Sequence, residues 1–206
     1  MSSVTVPAFQ ATIALLALLS AASAQNTSPS TAPELVALQQ SMQRTKKVTA
    51  KFTQVRHLAA LHDALMTEGA LEYQNGGRLV WRTFAPSASE LVMEGAHVTI
   101  SYPGMGSAQT IDFSSDPGMA RVFETIRSVL QADLDRLGAL FTVTVRRRQP
   151  LSISLSPRSK ALAETLKRIQ LDFDGSFRLV HVTLGETDGD STEISFREQV
   201  IETSAN

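Results

Sequence analysis

Short segments in which apolar and polar residues alternate recur along most of the chain, and turn residues separate them. In Leu65–Gln74, for example, every second residue is directed to one predicted apolar face. Asp174-Gly175 and Asp188-Gly189 lie between such segments and favour tight hairpins. Strands joined by tight turns pair antiparallel, so we predict one large curved antiparallel sheet of about ten strands.

Three helical patterns interrupt the strands. Pro33 suits the first position of a short amphipathic helix, and a helical turn is expected around residues 160–165. A longer helix is predicted after Asp116. Its apolar stripe contains Met119, Val122, Phe123 and Ile126. An open apolar sheet of this size must roll up or be covered, and the helices after Asp116 are the expected cover. The fold class is therefore mainly β within α+β.

Residues 1–24 are predicted to be a signal peptide. No charged residue precedes Glu34, and the apolar run Ala11–Leu19 is followed by Ala22-Ser23-Ala24, a small-x-small cleavage pattern. The run is shorter than the roughly 20 residues of a spanning helix, so a membrane anchor is the less favoured alternative. Residues 25–33 then form a flexible leader, residues 34–206 a single domain, and the periplasm is the expected compartment.

Composition excludes several functional classes. The net charge is −1, with 19 basic and 20 acidic residues, so the chain has no electrostatic signature of nucleic-acid binding or of binding to an anionic membrane. The absence of cysteine excludes disulfides, thiol catalysis and thiolate metal sites. No cofactor is predicted.

Two groups of possible metal ligands occur, and neither has the spacing of a known site. His57 and His62 would suit a helix-borne pair, but strands flank them and HExxH is missing, so loop histidines are expected. Asp188, Asp190 and Glu193 are predicted to lie close together in an acidic hairpin. This hairpin lacks the EF-hand register, so we expect a solvated turn and predict no metal site.

Hydrolase motifs are missing as well. The nearest approach to a nucleophile elbow is Gly104–Ser107, which lacks the strand–turn–helix context. Carboxylates are plentiful, so a catalytic pair in a cleft stays open as an alternative, although no pair is singled out. Arg146–Gln149 ends a predicted strand, and protection of a sheet edge by charge is favoured there over docking of an acidic partner.

Several motifs stand at a characteristic spacing. Gly69 is followed by Leu71, by Trp81 twelve positions after the glycine, and by Pro86. Phe52-Thr53-Gln54 lies upstream, and segments 92–104 and 188–196 lie downstream. Together these motifs resemble the periplasmic outer-membrane lipoprotein carriers, the LolA-like proteins, over nearly all of residues 34–206.

The resemblance implies an incomplete antiparallel β-barrel of about eleven strands that encloses an apolar cavity for acyl chains and is closed by short helices. Members of the family take lipoproteins from an inner-membrane export complex and pass them to an outer-membrane receptor, without covalent chemistry. We therefore expect a non-enzymatic, monomeric carrier of acylated lipoproteins or of a related acyl lipid.

One departure from the family pattern concerns the lid. The family usually has a basic turn before the tryptophan strand, and its arginine holds the lid closed; Asn75 occupies that position here. A hydrogen bond from a charged group contributes roughly 1.5 to 3 kcal/mol and a neutral one roughly 0.5 to 1.5 kcal/mol. Asn75 is thus expected to be a weaker latch, with Arg78 as a substitute if the turn redirects it.

The alternating pattern and the resemblance together predict the residues that line the lipid cavity: Phe52, Leu71, Tyr73, Leu79, Trp81, Leu91, Val98, Ile100, Met119, Val122, Phe123 and Ile126. Two alternatives to a carrier remain open. One is an enzyme of envelope lipid or polymer metabolism that uses carboxylates in the same cleft, and the other is a lipid-sensing interaction domain. The identity of the cargo is also open.

Overall fold

The computed structural model describes residues 32–95, 97–104, 106, 108–112, 128–129 and 133–204. The predicted signal peptide, most of the leader and the stripe Met119, Val122, Phe123 and Ile126 lie outside the described residues. No helix in the described part of the chain is both long and apolar enough to cross a membrane.

Within the described residues, eleven strands form one antiparallel sheet, which confirms the predicted fold class. Their bounds are β1 Thr45–His57, β2 Leu65–Gln74, β3 Arg78–Ala85, β4 Ser89–Glu94, β5 His97–Ser101, β6 Gln109–Asp112, β7 Phe141–Arg148, β8 Leu151–Pro157, β9 Leu166–Phe173, β10 Leu179–Glu186 and β11 Ser191–Thr203. The order across the sheet is β6-β5-β4-β3-β2-β1-β11-β10-β9-β8-β7. Strand β1 is therefore central.

Three short helices lie entirely within the described residues: α1 Pro33–Arg44, α2 Leu134–Leu140 and α3 Lys160–Ala163. Pro33 lies in the first turn of α1, as predicted from its fixed φ. The side chain of Asp133 accepts a hydrogen bond from the Arg136 amide and caps α2. Ser159 caps α3 in the same way, by accepting from the Leu162 amide.

Turn residues fix the hairpins that the sequence predicts. Between β9 and β10, a carboxylate oxygen of Asp174 accepts hydrogen bonds from the backbone amides of Ser176 and Arg178. Between β2 and β3, Gly76 and Gly77 have φ values of 113° and 97°, a conformation that side chains disfavour. These local features favour the observed turns of the β2–β3 and β9–β10 hairpins.

One face of the sheet, here called the inner face, carries the core. Alternate residues of the strands join one buried apolar cluster, and α1 and α2 contribute to the same cluster. The two helices therefore lie against the inner face; α2 belongs to the region after Asp116 that was predicted to cover the sheet, whereas α1 was not predicted to do so.

Strands β6 and β7 are the two edges of the sheet. The predicted position of Arg146–Gln149 at an edge is confirmed, since β7 ends at Arg148. Arg147 donates to the Pro150 carbonyl at 2.8 Å, and Arg148 forms an ion pair with Glu34 of α1. Hydrogen bonding to Arg148 holds the pKa of the Glu34 carboxyl below its usual range. The basic strand end thus also contacts the first turn of the covering helix.

Candidate functional site

The centre of the inner face is a pair of stacked aromatic rings. The Phe52 and Trp81 ring centroids are 3.9 Å apart with 29° between the planes. They lie on β1 and β3, so the Phe52 ring must cross β2 to reach the indole. It does so over Gly69, which is directly opposite Phe52, where a Cβ atom would overlap the ring. The Gly69–Trp81 spacing in the sequence therefore has a geometric cause.

Two apolar rows extend from this stack toward the turn between β2 and β3. In the first row, cross-strand partners follow one another from β1 to β5: Ala50, Leu71, Trp81, Leu91 and Ile100. In the second row the corresponding residues are Val48, Tyr73, Leu79, Met93 and Val98. Every predicted wall residue of the described chain lies in these rows or in the stack, and all are buried except Trp81, which is partly buried.

The other half of the inner face was missed at the sequence level. It comprises buried residues of β7 to β11: Phe141, Ile153, Leu155, Ile169, Leu171, Val182, Leu184 and Ile194. Met93 was missed as well, although it alternates with Leu91 on β4. The same period-two pattern that identified β2 is present in these strands and would have found them.

Side chains of α1 and α2 cover the inner face. Leu35 and Leu38 of α1, and Leu134 and Leu137 of α2, are at most 5% exposed and belong to the same cluster as the strand residues. Apolar side chains of the two helices therefore occupy part of the described interior. An apolar ligand of this face would compete with them for the same wall contacts.

Toward the opposite end of β1, the inner face of β1 to β4 becomes polar, whereas β11 keeps the buried Ile194 opposite Gln54. Gln54 follows Phe52 on the same face and is directly opposite Thr67 of β2. Thr83 of β3 is opposite Gly69 on one side and Ser89 of β4 on the other. Gln54 and Thr83 are only 4% and 5% exposed. The wall thus changes from aromatic to polar within one step along β1 and β3.

A charged group follows Gln54. Arg56, with 11% of its side chain exposed, lies 3.3 Å from Asp190 and 3.8 Å from Glu186. Burial raises the pKa of the Glu186 carboxyl, and the neighbouring Asp188 and Asp190 raise it further, while Arg56 opposes both. Asp190 also accepts a hydrogen bond from the Ala59 amide at 2.9 Å, which holds the loop after β1 against the β10–β11 turn.

The acidic hairpin differs in one respect from the prediction. Oxygens of Glu186, Asp188 and Asp190 lie within 4.8 Å of one another, whereas Glu193 is directed to the outer face, 3.9 Å from His181. The prediction that placed Glu193 with the two aspartates was wrong, because residues of β11 alternate between the faces. The guanidinium of Arg56 already neutralises part of this cluster.

His57 ends β1 and His62 lies in the following loop, and both are exposed. The latch residues lie away from the inner face. Asn75 is exposed in the β2–β3 turn, where its backbone amide donates to the Lys46 carbonyl at 2.8 Å. Arg78 lies 3.8 Å from Glu72, on the outer face of the sheet. A latch by either residue would require this turn to change conformation, and their role stays a prediction.

A match to a protein-family model identifies the family of this chain. The profile described as "Outer membrane lipoprotein carrier protein LolA" matches residues 43–206. The chain belongs to the LolA family. The family description names a carrier rather than a catalyst, and the matched range includes the whole sheet. No curated protein sequence matches at a significant level.

The chain is similar to several solved structures at low sequence identity. An uncharacterized conserved protein from Thermus thermophilus has 8% identity and a TM-score of 0.50, covering 84% of this chain and 88% of that one. A LolA superfamily protein from Nitrosomonas europaea has 8% identity and a TM-score of 0.42, with coverages of 84% and 94%. The Mycobacterium tuberculosis lipoprotein LppX has 9% identity and a TM-score of 0.44, with coverages of 84% and 96%.

Proposed function

We propose that this LolA-family protein is a periplasmic carrier that binds the acyl chains of lipoproteins, or of a related acyl lipid, on the inner face and moves them from the inner to the outer membrane. The observation that carries the proposal is the wall of two apolar rows and an aromatic stack, which short helices cover. An inner-membrane export complex and an outer-membrane receptor are the proposed partners.

The contacts that hold the covering helices allow an apolar ligand to replace them. Besides its buried leucines, the described contacts of α1 include the ion pair between Glu34 and Arg148, whose arginine side chain is 65% exposed. Exposed pairs of this kind contribute roughly 0 to 1 kcal/mol. The main attachment of α1 is therefore apolar, and an apolar ligand competes for the same contacts.

The free energies of acyl-chain burial and of helix displacement are consistent with reversible binding of the cargo. A sixteen-carbon chain gains roughly 13 kcal/mol on burial, at about 0.8 kcal/mol per methylene. Displacing the four helix leucines Leu35, Leu38, Leu134 and Leu137 costs roughly 8 kcal/mol, at about 2 kcal/mol each. The difference of roughly 5 kcal/mol allows both capture and release, whereas an empty preformed cavity would retain the cargo.

Native mass spectrometry of the protein purified from the periplasm tests this function. We expect intact acylated cargo bound to the wild-type chain, and at least tenfold less bound to Leu91→Gln, which introduces an amide into the first apolar row. The matched control is Val92→Gln, one residue along β4 on the outer face, which should retain cargo. Absence of lipid from the wild type, or equal loss in both variants, would contradict the proposal.

The same preparation distinguishes the two alternatives. An enzyme of lipid or polymer metabolism would release a chemically altered product when incubated with envelope lipids, and its activity would depend on carboxylates such as Glu186. A lipid sensor would retain lipid but would not deliver it to acceptor membranes. A carrier retains intact lipid and transfers it unchanged.

A further inference from the structure

The polar end of the inner face carries buried amide and hydroxyl groups. Gln54 and Thr83 are almost fully buried, yet in the part of the chain that the structure describes neither side chain has a hydrogen-bond partner. Their polar atoms are not among the fully enclosed, unpartnered atoms of the described residues, so these groups remain partly accessible. Such groups are stabilised when a ligand supplies the missing donor or acceptor.

Position makes these groups suited to one part of an amphipathic ligand. Along β1, inner-facing residues run from apolar Ala50 and aromatic Phe52 to polar Gln54 and charged Arg56. Inner-facing residues of a strand are spaced by roughly 7 Å. A chain lying on the apolar rows therefore brings its polar end to Gln54, with Thr67, Thr83 and Ser89 on the neighbouring strands.

The charged group beyond Gln54 selects against anions. Among the described residues, the guanidinium of Arg56 lies beside Glu186 and Asp190, and Asp188 adds a third carboxylate to their cluster. Arg56 is already shared between two of these carboxylates and is not free to bind a phosphate. An anionic headgroup at Gln54 would lie within one strand step of this excess negative charge.

We propose that Gln54, Thr67, Thr83 and Ser89, here called the polar belt, bind the uncharged ester, amide or hydroxyl groups next to the acyl chains of the cargo. The belt orients the cargo with its chains toward Tyr73 and its polar end toward Arg56. It selects neutral glyceryl-type acyl lipids over those with a phosphate or carboxylate at this position. This inference rests on the proposed carrier function and names the chemistry of its cargo.

The test compares two probes that differ only by a phosphate group on the glycerol: monopalmitoylglycerol and 1-palmitoyl lysophosphatidic acid, each below its micellar concentration. Trp81 is the only tryptophan of the chain and lies in the wall, so its fluorescence reports binding directly. We expect the wild type to bind the neutral probe at least tenfold more tightly. Gln54→Leu with Thr83→Val should weaken binding of the neutral probe about tenfold to hundredfold, the value for two lost hydrogen bonds, and should reduce the preference for it.

The control is Gln170→Leu with Thr183→Val, which removes the same two side-chain types from directly opposed outer-face positions of β9 and β10. Its selectivity should equal that of the wild type. Gln54→Met, which preserves side-chain length, carries the test if the double variant does not fold. It should weaken neutral binding about threefold to tenfold.

The outcomes separate this inference from the carrier proposal. If both probes bind the wild type equally, or if the belt variants keep its selectivity, the polar belt is overturned while lipid binding stands. If the wild type binds neither probe, the carrier proposal fails and the belt fails with it. Selectivity that disappears only in the belt variants supports the inference.

Discussion

At the residue scale, Gly69 lies beneath the Phe52 ring. A methyl group at this position would overlap both the ring and the main-chain carbonyl of Arg82. The carbonyl cannot move without disturbing the β2–β3 pairing. Gly69 is thus required by a close approach of neighbouring atoms and not by an unusual backbone angle.

We expect Gly69→Ala to lower the free energy of unfolding by about 2 to 3 kcal/mol, because overpacking forces the ring out of its stack. Urea denaturation followed by Trp81 fluorescence measures this change. Gly138→Ala on α2 is the control: nothing lies within 4 Å of the added methyl, so it should stabilise by about 0.5 to 1 kcal/mol. An unchanged urea midpoint for Gly69→Ala would contradict the close packing of the Phe52 ring over Gly69.

The pKa of Glu186 is raised by burial, so folding takes up a proton in the window above the ordinary glutamate value. Stability due to this group therefore falls as pH rises through that window. We expect the free energy of unfolding of Glu186→Gln, relative to wild type, to increase as pH is raised from about 4 to 7.

Glu72→Gln provides the opposite control. The pKa of Glu72 is lowered, chiefly by the hydrogen bond from Gln74. In the wild type, ionised Glu72 stabilises the fold, and this contribution is lost as pH falls through the folded-state pKa. The Gln variant lacks this contribution, so its free energy of unfolding should fall relative to that of the wild type as pH rises. Parallel pH dependence of the two variants, measured by urea denaturation, would contradict the assignment of Glu186.

At the scale of elements, alternation and turn dipeptides were enough to predict most strands, and Pro33 was enough to place the start of α1. Such signals are local, so a single sequence contains them. The contacts between elements are not local. Arg56 meets Glu186 and Asp190 only because β1 pairs with β11 at the centre of the sheet, and no spacing in the sequence encodes that pairing. The sequence also did not predict that the Arg78 side chain lies on the outer face, because this depends on the register of a single turn.

The charged end of β7 gives a prediction at this scale. Replacing Arg146 and Arg148 with valine leaves an exposed edge strand without its charges, so we expect concentration-dependent dimers or larger species by light scattering. Lys51→Val on β1 is the control, since this strand is paired on both sides and offers no free edge. Monomeric behaviour of the β7 variant would show that other features protect the edge.

At the scale of the whole molecule, β1 has five strands on each side, and the first and last strands of the chain pair at the centre of the sheet. The central pairings are long: β1 is matched with β11 from Thr45 to His57. By contrast, β6 has only four residues and one neighbour. The wall is therefore best supported in the middle and least at its edges.

Amide hydrogen exchange should follow this arrangement. We expect the slowest exchange in β1 and β11 and fast exchange in β6. On binding of monopalmitoylglycerol, exchange in α1 should accelerate severalfold, since the ligand replaces Leu35 and Leu38, while β1 stays unchanged. Binding that slows exchange in α1 as much as in the strands would mean that the helix is not displaced.

The ring over Gly69 also bears on how the strands find one another. A hairpin that slips by two residues keeps every side chain on its proper face, so the alternating pattern alone does not reject it. Such a slip would place Thr67 or Leu71 under the Phe52 ring instead of the bare glycine backbone. The indole would then be out of reach. The missing side chain at this position thus selects a single alignment of the first three strands while the sheet is still assembling.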